Sequence, residues 1–157
     1  MSDFTNEVKK KLQELGHILP KAGKPLGAYV DVRRTGDLLF VSGKLPLKED
    51  GTLLATGKLG AAVDLETGYK AAQLCMLHIL AVVEAECNGF PCEMRAVRVG
   101  GFVASTPEFT KAPAVINGAS ELLEAVLGPA GKHARAAVNV IALPLDAPVE
   151  VEAIFQI

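Results

Sequence analysis

The sequence predicts a two-layer α+β domain, one β-sheet packed on two main helices, with a further helix at the N-terminus. Three observations carry this reading. Apolar residues recur at helical and at strand spacing in the order helix, strand, strand, helix, strand, helix, strand, strand. Two of the helical stretches are apolar enough to cover a sheet face. The 157 residues, half of them hydrophobic, suffice for one domain with a sizeable core. Residues 1–157 are read as a single domain, in which 1–19 form a helical extension.

Phe4, Val8, Leu12 and Leu15 make one apolar stripe on the first helix, which Gly16 can end. Residues 20–28 are a Pro/Gly-rich connector. Two strands, 29–33 and 38–42, flank a turn at Thr35-Gly36-Asp37. The Gly-spotted stretch 43–63 reads as a long loop with at most a short strand. Asp64 suits an N-cap and Glu66 the positive end of the long helix that follows. Its pattern runs from Leu65 through Tyr69, Ala72, Met76, Ile79, Leu80 and Val83 to Glu86, and Asn88-Gly89 stops it. A strand over 97–105 contains Gly100-Gly101, which marks a bulge or a close backbone approach. Pro113 opens the next helix, carried by Val115, Ile116, Leu122, Leu123 and Val126 and ended by Gly128-Pro129. Strands over 134–142 and 149–157 complete the chain.

Composition narrows the function classes. Net charge is −2, with basic and acidic residues interspersed. Lys9, Lys10 and Lys11 form one cluster on a solvated helix face, so no basic stripe for nucleic acid is expected. No apolar run is long enough to span a bilayer, and the N-terminus shows no signal-peptide h-region. A cytoplasmic protein is therefore expected. Cys75, Cys87 and Cys92 match no disulfide framework or zinc spacing, and His17, His78 and His133 are scattered, so no metal is expected. Cys75 fits a helical core position.

The chemistry concentrates in the last 25 residues. Arg135 heads a run of small apolar residues, and its planar, permanently charged fork suits a carboxylate. An Arg within an apolar strand needs a partner, either a protein carboxylate or a ligand that brings one. Ala134, Ala136 and Ala137 leave room beside it. Glu150 and Glu152 alternate with Val149, Val151 and Ala153. Taken alone, Glu150 reads equally well as a solvent-facing strand residue, and Glu152 reads as a sheet or subunit-contact residue. Alternation along 134–142 leaves both sheet faces partly apolar, which points to an oligomer. Ser42 has no adjacent His/Asp motif, so no hydrolase triad is read there.

At this point the chain resembles the YjgF/RidA family, also called endoribonuclease L-PSP. The segments that carry the likeness are GAYV (27–30), LLFVSGKLP (38–46), the long helix, FVASTPEFTKAPAVIN (102–117), HARAAV (133–138), LP (143–144) and VEVEAI (149–154). The resemblance implies a chorismate-mutase-like fold with a mixed sheet and a homotrimer whose sheets form a central barrel. It also implies clefts between neighbouring subunits and cofactor-independent hydrolysis of reactive enamines or imines to 2-oxo acids and ammonia. By position, Arg135 matches the family's carboxylate-binding arginine and Glu150 the acid that handles water. Tyr29, Gly43 and Asn117 match other cleft residues, as do the positions of Lys44 and Ala137. There the family usually carries Gln and Ser or Cys, and His133 stands where it carries Pro. The N-terminal helix and the longer 43–63 loop mark a longer branch. The expected partner is a small carboxylate-bearing metabolite, with no nucleic acid and no membrane.

On the residues alone, Tyr29 also reads as a core residue, Asn117 as a local backbone partner and Lys44 as a surface lysine. Alternative functions are a non-catalytic trimer that binds 2-oxo or amino acids, a ribonuclease, which lacks a basic groove and paired histidines, and a chorismate mutase by fold analogy alone.

A final expectation concerns register. If the last two strands pair antiparallel around a turn at 143–148, Glu150 lies level with Ile141, and Arg135 is roughly 20 Å further along on the same sheet face. One small ligand could not then touch both side chains of one chain, and the site would be completed between subunits.

Overall fold

A computed structural model describes residues 3–23 and 27–157. Its elements are α1 (Asp3–Glu14), β1 (Val32–Thr35), β2 (Leu38–Lys44), α2 (Leu65–Cys87), β3 (Arg95–Ala104), α3 (Ala112–Leu127), β4 (Ala134–Val140) and β5 (Val149–Gln156). Single 3₁₀ turns follow α3 and precede β5. Part of the connector 20–28 lies outside the described residues.

The sheet is mixed, with strand order β1-β2-β5-β3-β4. All neighbours are antiparallel except β3 and β4, which run parallel across the α3 crossover. Helix α2 packs over β2 and β5, and α3 over β3 and β4. Val41, Val99, Val103, Val149, Val151, Ala153 and Phe155 of the sheet meet Cys75, Met76, Ile79 and Leu80 of α2 and Val115, Ile116 and Leu123 of α3 in one core. The anticipated α+β class, helix order and N-terminal helix are all present.

Local chemistry explains the element ends. The Asp64 carboxylate accepts from the Thr67 backbone N–H at 2.8 Å and caps α2. Asn88 ends α2 in a left-handed conformation, φ 55°. Thr5 pins α1 by accepting from the buried Phe90 N–H at 2.8 Å. Val8 and Leu12 bury their side chains, whereas Leu15 lies past the helix and is half exposed. Gly100-Gly101 marks a close approach and not a bulge. A Cβ at Gly101 would overlap the Ile116 side chain of α3, and the register shift of β3 falls at 96–98. Residues 43 and 44 still belong to β2, and the loop runs over 45–63, with isolated bridges Leu47–Leu53 and Leu59–Val63, tied to the sheet where Leu59 donates to Ala104 O at 2.9 Å.

Two expectations are corrected. The first strand begins at Val32, so Tyr29 lies in the approach to it. The last two strands are not neighbours, because β3 lies between them. The β3–α3–β4 unit places β4 beside β3, on the edge away from β5. Arg135 is level with Val99, and Val99 with Ala153. Arg135 is then three residues from the level of Glu150 and two strands across, about 14 Å between backbones. The faces differ as well. Arg135 shares the helix-covered face with Val99, whereas Glu150 alternates with the buried Val149 and Val151 and lies on the opposite face.

Candidate functional site

The anticipated site residues separate into two clusters at different places on the chain. The first surrounds Arg135. Strand β4 is a sheet edge, so Arg135 is exposed, and burial is not what demands its partner. Its guanidinium makes no ion pair among the described residues. Instead Nη1 donates to Asn117 Oδ1 at 2.8 Å and to Ser120 Oγ at 3.2 Å, both on α3. Both Nη1 hydrogens are thereby used. The Nε and Nη2 edge has no hydrogen-bond partner among the described residues, and that edge can grip a carboxylate with two parallel bonds. Asn117 and Ser120 are three residues apart, one above the other on the helix. Together with Glu121, Glu124, His133 and Arg135 they line an open cleft of about 410 Å³. Ala137 lies on the same strand face as Arg135 but packs on the core and does not line this cleft.

The second cluster surrounds Glu150, in a cavity of about 350 Å³ that also touches Tyr29, Asp31, Gly43, Lys44 and His78. A bulge between Val41 and Lys44 in the β2–β5 pairing brings the Gly43 backbone onto the Glu150 carboxylate. A Cβ there would overlap Glu150 Oε1, so a side chain at position 43 would push the carboxylate out of its place. Burial raises the Glu150 carboxyl above its ordinary value of 4.5, and the neighbouring Glu152 charge raises it further. Glu152 itself lies beside Arg98, Oε1 to Nη1 3.1 Å, on the open sheet face.

Lys44 is neither a surface lysine nor a free cation. It pairs with Asp31, and the two side chains are 15% and 16% exposed. Tyr29 is 52% exposed and lines the cavity with its ring, so the core-packing reading fails. Reasoning from sequence missed Ser120, Asp31 and His78. Ser120 was detectable by its i+3 spacing from Asn117. His78, whose Nε2 lies 2.7 Å from Leu47 O, carried no local signal because a loop delivers its partner. Among the described residues, no group of three or more His, Cys, Asp or Glu could hold a metal ion.

Comparison with known proteins places the chain as a whole. The sequence model of the endoribonuclease L-PSP family matches residues 19–157. A Trypanosoma cruzi protein, TCP17, is 39% identical over 154 residues, covering 98% of this chain and 96% of its own. The crystal structure of an Agrobacterium tumefaciens protein of unknown function is 44% identical with a TM-score of 0.92, covering 98% of this chain and 94% of that one. A RidA from an Antarctic Psychrobacter is 26% identical with a TM-score of 0.62, covering 87% and 94%. The first two relatives extend over α1, whereas the family model begins after it.

Proposed function

Because this chain belongs to the endoribonuclease L-PSP, or YjgF/RidA, family, we propose that it hydrolyses reactive 2-aminoacrylate-type enamines and imines to 2-oxo acids and ammonia, without a cofactor. The observation that carries this reading is the division of labour between the two clusters. One offers an open guanidinium edge braced by Asn117 and Ser120. The other offers a carboxyl whose proton affinity is raised by burial.

The chemistry needs both. An enamine takes a proton on carbon to become an iminium. Water adds to the carbon that bears the nitrogen and loses a proton, giving a carbinolamine. Protonated nitrogen then leaves as ammonia while the oxygen forms the 2-oxo carbonyl. Glu150 serves as the group that gives and takes protons, since a raised carboxyl pKa lies nearer neutrality. Arg135 holds the substrate carboxylate, and the fixed orientation supplies part of the rate.

The two clusters lie on different faces of one chain, so the complete site is assembled at a junction where Arg135 of one subunit faces Glu150 of the next. The open sheet face supports such an assembly. Phe40 and Val138 are 42% and 45% exposed there, and a homotrimer would bury them. The decisive experiment generates imines enzymatically and follows ammonia and 2-oxo acid release with and without the protein. Acceleration by wild type and its loss in Glu150→Gln support the deaminase. Binding of 2-oxo acids with no acceleration makes the protein a carboxylate binder instead.

A further inference from the structure

We propose that His133 is a positioning residue for Arg135, acting through Ser120; this rests on Arg135 being the carboxylate grip. Four groups form one directed chain. His133 Nδ1 lies 2.6 Å from the Gly131 carbonyl oxygen. A carbonyl can only accept, so Nδ1 carries a proton, and in the tautomer with that one proton Nε2 is an acceptor. Nε2 lies 2.9 Å from Ser120 Oγ, so the serine hydroxyl donates to it. With its hydrogen turned toward the imidazole, Ser120 presents lone pairs to the Arg135 Nη1–H at 3.2 Å. Asn117 Oδ1 takes the other Nη1 hydrogen at 2.8 Å. Nη1 is thus held from two sides, and the guanidinium plane is fixed with its Nε and Nη2 edge outward.

Each link has a reason to be there. A serine inside a helix otherwise turns its hydroxyl back to the carbonyl four residues earlier. The imidazole offers a competing acceptor. That acceptor is itself held in place by the Gly131 carbonyl, where a Cβ at residue 131 would overlap the end of α3 at Leu123. An arginine on an exposed edge strand has many rotamers, and immobilising it before the ligand arrives removes an entropy cost from binding. The charged groups lining the same cleft are Glu121 and Glu124 of α3 and Lys132 beside His133. Lys132 pairs with Glu124 at 3.5 Å. Glu121 accepts from the Tyr69 hydroxyl at 2.5 Å. With these carboxylates partnered, Arg135 remains available to an incoming one.

The test is a double-mutant cycle on pyruvate binding, read by calorimetry. His133→Phe and Ser120→Ala should each weaken binding about fivefold, the effect of one lost hydrogen bond in the chain. The double variant should be no weaker than Ser120→Ala alone, because both changes cut the same link. His133→Gln, whose amide oxygen can accept from Ser120, should stay within about twofold of wild type. Additive losses, or full affinity in His133→Phe, would overturn the role of His133. Arg135→Lys, measured alongside, separates the two levels. If it loses binding while His133→Phe does not, only the positioning role fails. If it binds pyruvate as wild type does, the carboxylate grip fails and this inference fails with it.

Discussion

At the level of single residues, Arg135 and Glu150 make opposite demands. Arg135 works by geometry. A lysine keeps the charge but cannot form two parallel bonds to one carboxylate, nor satisfy Asn117 and Ser120 in the same way. Arg135→Lys should therefore retain the fold and lose at least about tenfold in 2-oxo acid affinity, roughly 1.4 kcal/mol. Circular dichroism and calorimetry on the same sample check both halves of that statement. Glu150 works by proton affinity. Its folded carboxyl titrates above the ordinary 4.5, chiefly through burial. In a pH window upward from about 4.5 the unfolded chain has lost this proton and the folded chain still holds it. The folded state then binds more protons, so this residue's contribution to stability falls as pH rises through the folded pKa. Glu150→Gln removes that fall. Denaturant titrations between pH 4 and 8 should show the mutant gaining on wild type as pH increases, and a constant difference would remove burial as the cause of the shift.

At the level of elements, the helices were legible and the strand order was not. Asp64, Asn88 and Pro113 mark helix ends through local backbone chemistry, and each lies where its residue type suggests. The expectation that β4 and β5 are neighbours fails because a short connection does not require a hairpin. Instead, β3, α3 and β4 form a crossover unit, and parallel neighbours then follow from helix packing. The 3₁₀ turn between β4 and β5, with Leu145 at φ 58°, carries the chain past β3 to the centre of the sheet, between β2 and β3. Alternation correctly separated the faces within each strand. The relation between faces of two strands depends on which strand lies between, and no spacing within either one encodes that. Gly101 is where helix and sheet meet most closely, since a Cβ there overlaps Ile116. Gly101→Ala should cost about 1–3 kcal/mol by overpacking. Chemical denaturation should show a lower midpoint at unchanged slope. The neighbouring Gly100 faces the open side, where a Cβ would lie 2.7 Å from Glu152 Oε1, the end of a side chain that can move. Gly100→Ala should cost less.

At the level of the whole molecule, the cleft residues were legible one by one, but the grouping was not. Tyr29, Gly43 and Glu150 gather at one cavity, and Asn117 and Arg135 at another. The expected register gave a separation of Arg135 and Glu150 for the wrong reason. The distance is shorter than anticipated, about 14 Å and not 20 Å between backbones. What separates them is the sheet itself, with Arg135 toward α3 and Glu150 on the far face. A side chain cannot cross the sheet, so one ligand cannot meet both groups of one chain. Subunit mixing tests the assembly that this requires. Arg135→Ala and Glu150→Ala oligomers should each be inactive. Exchanging their subunits should restore part of the activity, because a junction between an Arg135→Ala chain and a Glu150→Ala chain can bring one intact Arg135 to one intact Glu150. In a trimer with two of one variant and one of the other, one junction of the three has this composition. With equal mixing, three-quarters of random trimers are of this kind, so about a quarter of wild-type activity is the ceiling for complementation. Light scattering must first show a mass above the 16.5 kDa of one chain, and mass spectrometry must show that subunits exchange. Exchange without any recovery would mean that the two clusters do not form one site.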